Sequence, residues 1–235
     1  MYKQKVEVGS NDINALYELR VSSLFKIMQD VIMHHTEVLN IGVKVTNEEN
    51  VAWVILRMHV EIKKTPKYQQ ELTFFTYPNE TRGFLYPRQI QVYDEKGDLN
   101  INISSLWTLI NKKDRKPVTN SRIENSIKGE NHENELPLPG KVKIEEAPLI
   151  YERKIQYSDV DLNGHLNNTK YIEIFENIHN TEFYKTHKIK SIDLNYLKEI
   201  KEGQTIKISA NMHDNEEFVR FDVDDELCFI ALIKY

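Results

Sequence analysis

Apolar positions change period along this chain, and the changes divide it into segments. Between Asn14 and Leu39 they fall at Leu16, Leu19, Leu24, Ile27, Met28, Val31 and Val38. Steps of three and four put these residues on one face of a helix. Ser22 or Ser23 would cap its main part, and Gly42 would stop it. Strand-like stretches follow at Val51 to Lys63, Glu71 to Tyr77, Phe84 to Asp94 and Ile101 to Asn111. The last two are joined by the turn signal Asp94-Glu95-Lys96-Gly97-Asp98.

From Lys112 to Ala147 the chain is polar and carries Pro117, Pro137 and Pro139, which reads as a linker with short ordered pieces. Periodicity then resumes. Ile150 to Tyr157 reads as a strand, and Asn168 to Tyr184 as a helix with Tyr171, Ile174, Phe175 and Ile178 on one face. Strands are expected at Ile189 to Glu199, Gln204 to His213, Glu217 to Val223 and Leu227 to Lys234. Each half therefore runs strand, loop, long helix, then about four strands, a repeat of pattern and not of residue identity. One long apolar-faced helix per four or five antiparallel strands predicts an α+β fold in which a curved sheet wraps a helix. That is the hotdog arrangement, expected as two tandem domains: 1–115, then a linker over 116–148, then 149–235.

Composition narrows the function. The chain has 235 residues with a net charge of -5, which argues against general nucleic-acid binding and requires any acidic partner to meet a local basic patch. The single cysteine, Cys228, excludes an intrachain disulfide and is read as buried core. The polar N-terminal stretch lacks a signal core, and no apolar run approaches the roughly 20 residues of a membrane span. A cytoplasmic protein without membrane insertion is expected.

The chemistry concentrates in Asp159-Val160-Asp161-Leu162-Asn163-Gly164-His165-Leu166-Asn167-Asn168-Thr169-Lys170-Tyr171. A calcium loop fits Asp159, Asp161, Asn163 and Gly164, but the twelfth position, where a bidentate Glu belongs, is Lys170. Turn and cap formation explains one or two of these residues, with Asn167 or Asn168 as the cap of the following helix. In a catalytic reading, an extended stretch points alternate residues the same way, so Asp161, Asn163 and His165 would face one cavity. Thioester hydrolysis needs such donors for a developing oxyanion, together with an oriented water and a base. A helix N-terminus behind them would add backbone N–H groups.

These residues resemble the plant and bacterial acyl-acyl-carrier-protein thioesterases, a family with a double hotdog fold. The similarity lies in Asp161, Asn163 and His165, in Leu166-Asn167-Asn168 and Tyr171, and in Asn195-Tyr196-Leu197-Lys198-Glu199. In the first half it lies in Gln29-Asp30, Trp53 to Met58, Ser105-Leu106-Trp107, Asn111 and Arg115. The resemblance implies a site of Asp161, Asn163, His165 and Glu199, with Glu199 as general base, Asn163 and His165 polarising the thioester, and Asp161 supporting them. Plant members carry Cys directly after that Glu. Here the position is Ile200, which favours direct attack by water.

The resemblance further implies hydrolysis of medium- to long-chain acyl-acyl-carrier protein in fatty acid biosynthesis, without metal or organic cofactor, and an acyl tunnel in the first half. Trp53 or Trp107 could line that tunnel. Acyl-CoA hydrolysis by the same site and non-catalytic acyl binding are the competing readings. Pattern alone would make Glu199 an ordinary solvated charge; the family match reverses that preference. His34-His35, adjacent on a helix, are not expected to share a metal. Lys112-Lys113-Asp114-Arg115-Lys116 is either a solvated loop or a docking patch for acidic acyl carrier protein. Two halves pairing within one chain would suffice for a monomer, and a homodimer remains compatible.

Overall fold

The computed structural model describes residues 1–235. Ten strands form one sheet. They are β1 (Tyr2–Glu7), β2 (Val51–Ile62), β3 (Glu71–Pro78), β4 (Tyr86–Tyr93), β5 (Leu99–Asn111), β6 (Leu149–Lys154), β7 (Ser191–Tyr196), β8 (Thr205–His213), β9 (Glu216–Val223) and β10 (Glu226–Lys234). Their order across the sheet is β1-β3-β4-β5-β2-β7-β10-β9-β8-β6. Read from either edge, this is the same succession of elements, one half mirrored by the other. The halves join where β2 pairs antiparallel with β7, Arg57 opposite Asn195 and Glu61 opposite Ser191. The expected α+β arrangement, a helix cradled by an antiparallel sheet, occurs twice, but the two sheets are fused and share one cluster of 38 buried residues.

In the first half the helix is α1 (Val21–Val38), which buries Leu24, Phe25, Met28, Val31, Ile32 and His35. It begins later than its apolar spacing suggests, because Asn14 to Leu19 form a tight loop in which Tyr17 takes a φ of 59°. Ser22 and Ser23 lie inside its first turn, and Gly42 opens the next helix, α2 (Val43–Glu48), instead of closing this one. The second long helix is also broken. α4 (Asn168–Glu176) ends at Asn177, and Asn180 Oδ1 accepts from Phe183 N–H at 3.1 Å to start α5 (Thr181–Thr186). α4 packs against α1, with Lys26 and Glu173 paired at 3.1 Å.

Between the halves, one short helix, α3 (Ser121–Glu124), is capped by Asn120. Most of the remainder lies across the outer face of the sheet and is held there by side-chain amides. Gln89 Nε2 donates to Leu136 O at 3.0 Å, Gln91 Nε2 to Glu133 O at 2.7 Å, and Asn195 Nδ2 to Gly140 O at 3.2 Å. This strap explains why β4 is buried on both faces although only one touches the core. Cys228 is buried in the main cluster. No helix is long and apolar enough to cross a membrane.

Candidate active site

The loop before α4 is shaped by its own side chains. Asp159 is buried, its Oδ2 accepting from Gln156 N–H at 3.0 Å and its Oδ1 from Arg153 Nη2 at 2.8 Å. Asp161 closes the following turn: its N–H donates to His165 O at 2.8 Å, and its Oδ1 accepts from the N–H groups of Asn163 at 2.8 Å and His165 at 3.3 Å. Gly164 takes a φ of 77°, a left-handed conformation that costs glycine little. Residues 161–165 therefore turn back on themselves and are not the extended stretch inferred from alternation. Asp161, Asn163 and His165 nonetheless line one cavity, and Glu199 lines it with them. Lys170, at the position that weakens a calcium loop, lies 3.2 Å from Glu173 and 4.0 Å from Asp159.

Glu199 is brought to His165 by backbone pairing. Leu166 N–H donates to Ile200 O at 2.7 Å, and a bridge joins His165 to Lys201. His165 Nε2 then lies 3.3 Å from Glu199 Oε2. Ile200 is fully buried in the core. Burial, and secondarily the Arg115 guanidinium, hold the His165 imidazole below its ordinary pKa, so it is neutral near pH 7. Its Nε2 faces the Glu199 carboxylate.

Arg115 completes the arrangement from the other half of the molecule, its Nη2 ion-paired with Glu199 Oε1. The sequence marked Arg115 only as part of the family pattern and a basic run, with no signal that it meets Glu199. A second unmarked group is a backbone one. Asn167 Oδ1 caps α4 by accepting from Thr169 N–H at 3.0 Å, while the N–H of Asn168, which lines the cavity, meets no acceptor in the chain. A first-turn N–H left free beside a cavity is suited to a carbonyl or oxyanion.

The loop before α1 repeats this construction. Asn14 N–H donates to Glu18 O at 2.9 Å, and Asn14 Oδ1 accepts from Leu16 N–H at 2.8 Å and Glu18 N–H at 3.2 Å. Bridges join Ile13 to Leu19 and Glu18 to Lys67, as they join Val160 to Leu166 and His165 to Lys201. Asn14 thus stands in the place of Asp161, Leu16 in that of Asn163, Glu18 in that of His165, and Thr65 in that of Glu199. A neutral amide makes the same turn as Asp161 in a loop without the other three groups. The backbone bonds of Asp161 are accordingly loop-shaping, and what sets the second half apart is that Asn163, His165 and Glu199 stand where the first half has Leu16, Glu18 and Thr65.

An adjoining cavity of about 170 Å³ shares Trp53, Asp161, Asn163 and Asn168 with this site and runs into the first half between Ile32, Met33, Tyr86 and Trp107. Arg88, nearly buried on its wall, donates through Nη1 to Thr76 Oγ1 at 3.0 Å and to His35 Nδ1 at 2.9 Å. Burial lowers the guanidinium to about 10 and the His35 imidazole to about 3, so His35 serves as a neutral acceptor.

Two family models match the chain: the acyl-ACP thioesterase N-terminal domain over residues 1–127 and the acyl-ACP thioesterase C-terminal domain over residues 142–228. Among curated relatives, a palmitoyl-acyl carrier protein thioesterase of Arabidopsis thaliana is 25% identical over 85% of this chain and 52% of its own length. Oleoyl-acyl carrier protein thioesterase 2 of the same plant is 24% identical over 87% of this chain and 61% of its own. The chain thus spans between half and two thirds of these relatives, which are described as chloroplastic. Among solved structures, an acyl-ACP thioesterase from Bacteroides thetaiotaomicron superposes with a TM-score of 0.89 at 22% identity, covering 99% of this chain and 96% of the other. The 12:0-ACP thioesterase from Umbellularia californica gives 0.87 at 17% identity, covering 99% and 96%. With both halves matched and the fold shared end to end, the chain belongs to the acyl-ACP thioesterase family.

Proposed function

We propose that this protein hydrolyses the thioester joining a medium- to long-chain fatty acyl group to acyl carrier protein, releasing the free acid and the carrier's thiol. The observation that carries this reading is one junction. Where the apolar cavity meets the loop before α4, Glu199, neutral His165, Asn163 and Asn168 line one junction. The acyl chain would occupy the cavity in the first half, with its thioester carbonyl at the helix N-terminus.

The chemistry follows from these positions. Glu199 takes a proton as a water oxygen bonds to the carbonyl carbon. The resulting oxyanion is met by the Asn168 N–H and the Asn163 amide, donors already in place before charge develops. Asn163 Nδ2 lies 3.5 Å from Asp161 Oδ2, which orients that amide. The carbon–sulfur bond then breaks, and the proton held by Glu199 passes to the thiolate. Asp161 supports the site by shaping the turn.

Release of free thiol from matched acyl-acyl-carrier protein and acyl-CoA tests the reading. Faster turnover of the carrier-bound substrate, lost in Glu199→Ala, is the expected result. Absence of thiol release from either substrate, with acyl chains still bound, would replace it with the non-catalytic reading.

A further inference from the structure

We infer that Arg115 is a positioning residue for this reaction: its guanidinium, reaching across from the first half, holds the Glu199 carboxylate where it can take the proton of the attacking water. The inference rests on the reading of Glu199 as the base.

Glu199 has little to hold it otherwise. It follows the end of β7 in an exposed stretch with Leu197 and Lys198, and 35% of its side chain is accessible. A Glu side chain in such a place keeps several rotamers, and fixing one has an entropic cost. Two groups fix it here. His165 Nε2 sits 3.3 Å from Oε2, and Arg115 Nη2 is paired with Oε1. The carboxylate is thus held from both sides, one side from each half of the chain.

Arg115 is itself anchored. It sits in the turn that leaves β5, and Asn111 staples that turn: Asn111 Oδ1 accepts from Lys113 N–H at 2.8 Å, Asn111 O from Arg115 N–H at 3.0 Å, and Asn111 N–H donates to Lys116 O at 2.9 Å. Arg115 takes a φ of 58°, the left-handed conformation that sends the chain back toward Pro117, which bridges to Ile110. The guanidinium is therefore delivered from the rigid end of a central strand. The same turn exposes Lys113 and Lys116. A basic surface suited to an acidic carrier and the support of the base share one short segment.

A residue that only docked the carrier would alter KM and leave kcat unchanged. A residue that only stabilised the fold would leave kcat of the folded variant unchanged. A residue acting through Glu199 alters kcat, and does so only while Glu199 is present. The experiment measures kcat and KM on acyl-acyl-carrier protein for the wild type, Arg115→Ala, Arg115→Lys, Glu199→Ala and the Arg115→Ala/Glu199→Ala double variant, each confirmed folded by its melting curve. Arg115→Ala should lower kcat by about 10- to 100-fold, the scale of a misplaced catalytic group, with little change in KM. Arg115→Lys should restore much of the loss. The double variant should be no slower than Glu199→Ala alone. Losses that multiply in the double variant, or an Arg115→Ala effect confined to KM, would overturn the inference. Wild-type turnover by Glu199→Ala would instead remove the reading of Glu199 as base on which it rests.

Discussion

The Glu176 carboxylate, at the end of α4, accepts a hydrogen bond at 2.7 Å from the backbone N–H of Val21, 155 residues earlier, where α1 begins. Its other oxygen accepts from Ser22 N–H at 3.1 Å. One half-buried side chain thus caps the helix of the opposite half. By the internal repeat, Val21 corresponds to Asn168, whose N–H is free. In the first half a built-in carboxylate sits where a substrate oxygen would sit in the second, which helps to explain why one loop is chemically equipped and the other is not. Glu176→Ala should lower the unfolding free energy by about 1–3 kcal/mol, the cost of leaving buried N–H groups unmatched, as read from urea denaturation.

The same residue gives stability a pH dependence. Burial raises the Glu176 carboxyl above its ordinary pKa, opposed only in part by the bonds from Ser22 and Val21. As pH rises, the unfolded carboxyl ionises first, so the folded state binds the extra proton between the ordinary and the raised value. Its contribution to stability therefore falls across that window. Glu176→Gln should gain on the wild type as pH climbs through it. A constant stability difference between the two proteins over that range would contradict the assignment.

Within the site, Glu199→Gln should reduce kcat by about 10²- to 10⁴-fold, the usual contribution of a general base. Asp161 should behave differently. Asn14 already makes the equivalent turn with an amide, so Asp161→Asn should lose far less kcat than Asp161→Ala, which removes the oxygen that accepts from Asn163 and His165. Equal losses for the two Asp161 variants would show that the charge, not the turn, matters.

Because the His165 imidazole is held below its ordinary pKa, first by burial and then by Arg115, it stays neutral to lower pH than a free histidine. Any loss of kcat/KM caused by its protonation should therefore appear on the acid side of the ordinary imidazole value. A pH–rate profile compared with that of a folded His165→Asn variant measures this. A histidine-dependent acid limb above that value would be inconsistent with the geometry.

The cavity of about 170 Å³ is close in size to an engineered cavity of roughly 150 Å³ known to hold benzene, so it has room for a chain segment of about six carbons. Met33 lies on its wall. Met33→Ala should shift the free fatty acids released in expressing cells toward longer chains, and Met33→Trp toward shorter ones. Unchanged profiles in both would place the acyl chain elsewhere.

If the turn after β5 receives the carrier, reversing Lys112 and Lys113 to Glu should raise KM for acyl-acyl-carrier protein and leave KM for acyl-CoA unchanged. Equal changes for both substrates would dismiss carrier docking at this turn.

The strands were legible because β-branched and aromatic runs identify themselves, as in Val51 to Ile62. The strand expected at the head of the first half has no residues assigned to it by pattern, because Lys3, Gln4, Lys5 and Glu7 carry no such signal; its place is fixed by pairing with β3. The start of α1 was misplaced because Leu16 and Leu19 continue its period by accident of a loop whose course Asn14 and Tyr17 dictate. Asp161, Asn163, His165 and Glu199 are nameable as a set only through the family resemblance, and the extended backbone expected to face the first three one way is instead a tight turn closed by Asp161. Arg115 and Glu176 act across the seam between the halves, and no local pattern encodes a partner so far along the chain.

The sheet that fuses the two halves never closes on itself, so it keeps two open margins, β1 and β6. Open margins invite another chain to add on, the first step of fibrous aggregation. Here the margins are the charge-bearing strands Tyr2-Lys3-Gln4-Lys5-Val6-Glu7 and Leu149-Ile150-Tyr151-Glu152-Arg153-Lys154. The long apolar strands are kept in the interior of the array, where each already has two neighbours. The mirrored strand order thus leaves only two short strands outermost, each broken by charged side chains that oppose the addition of a further strand.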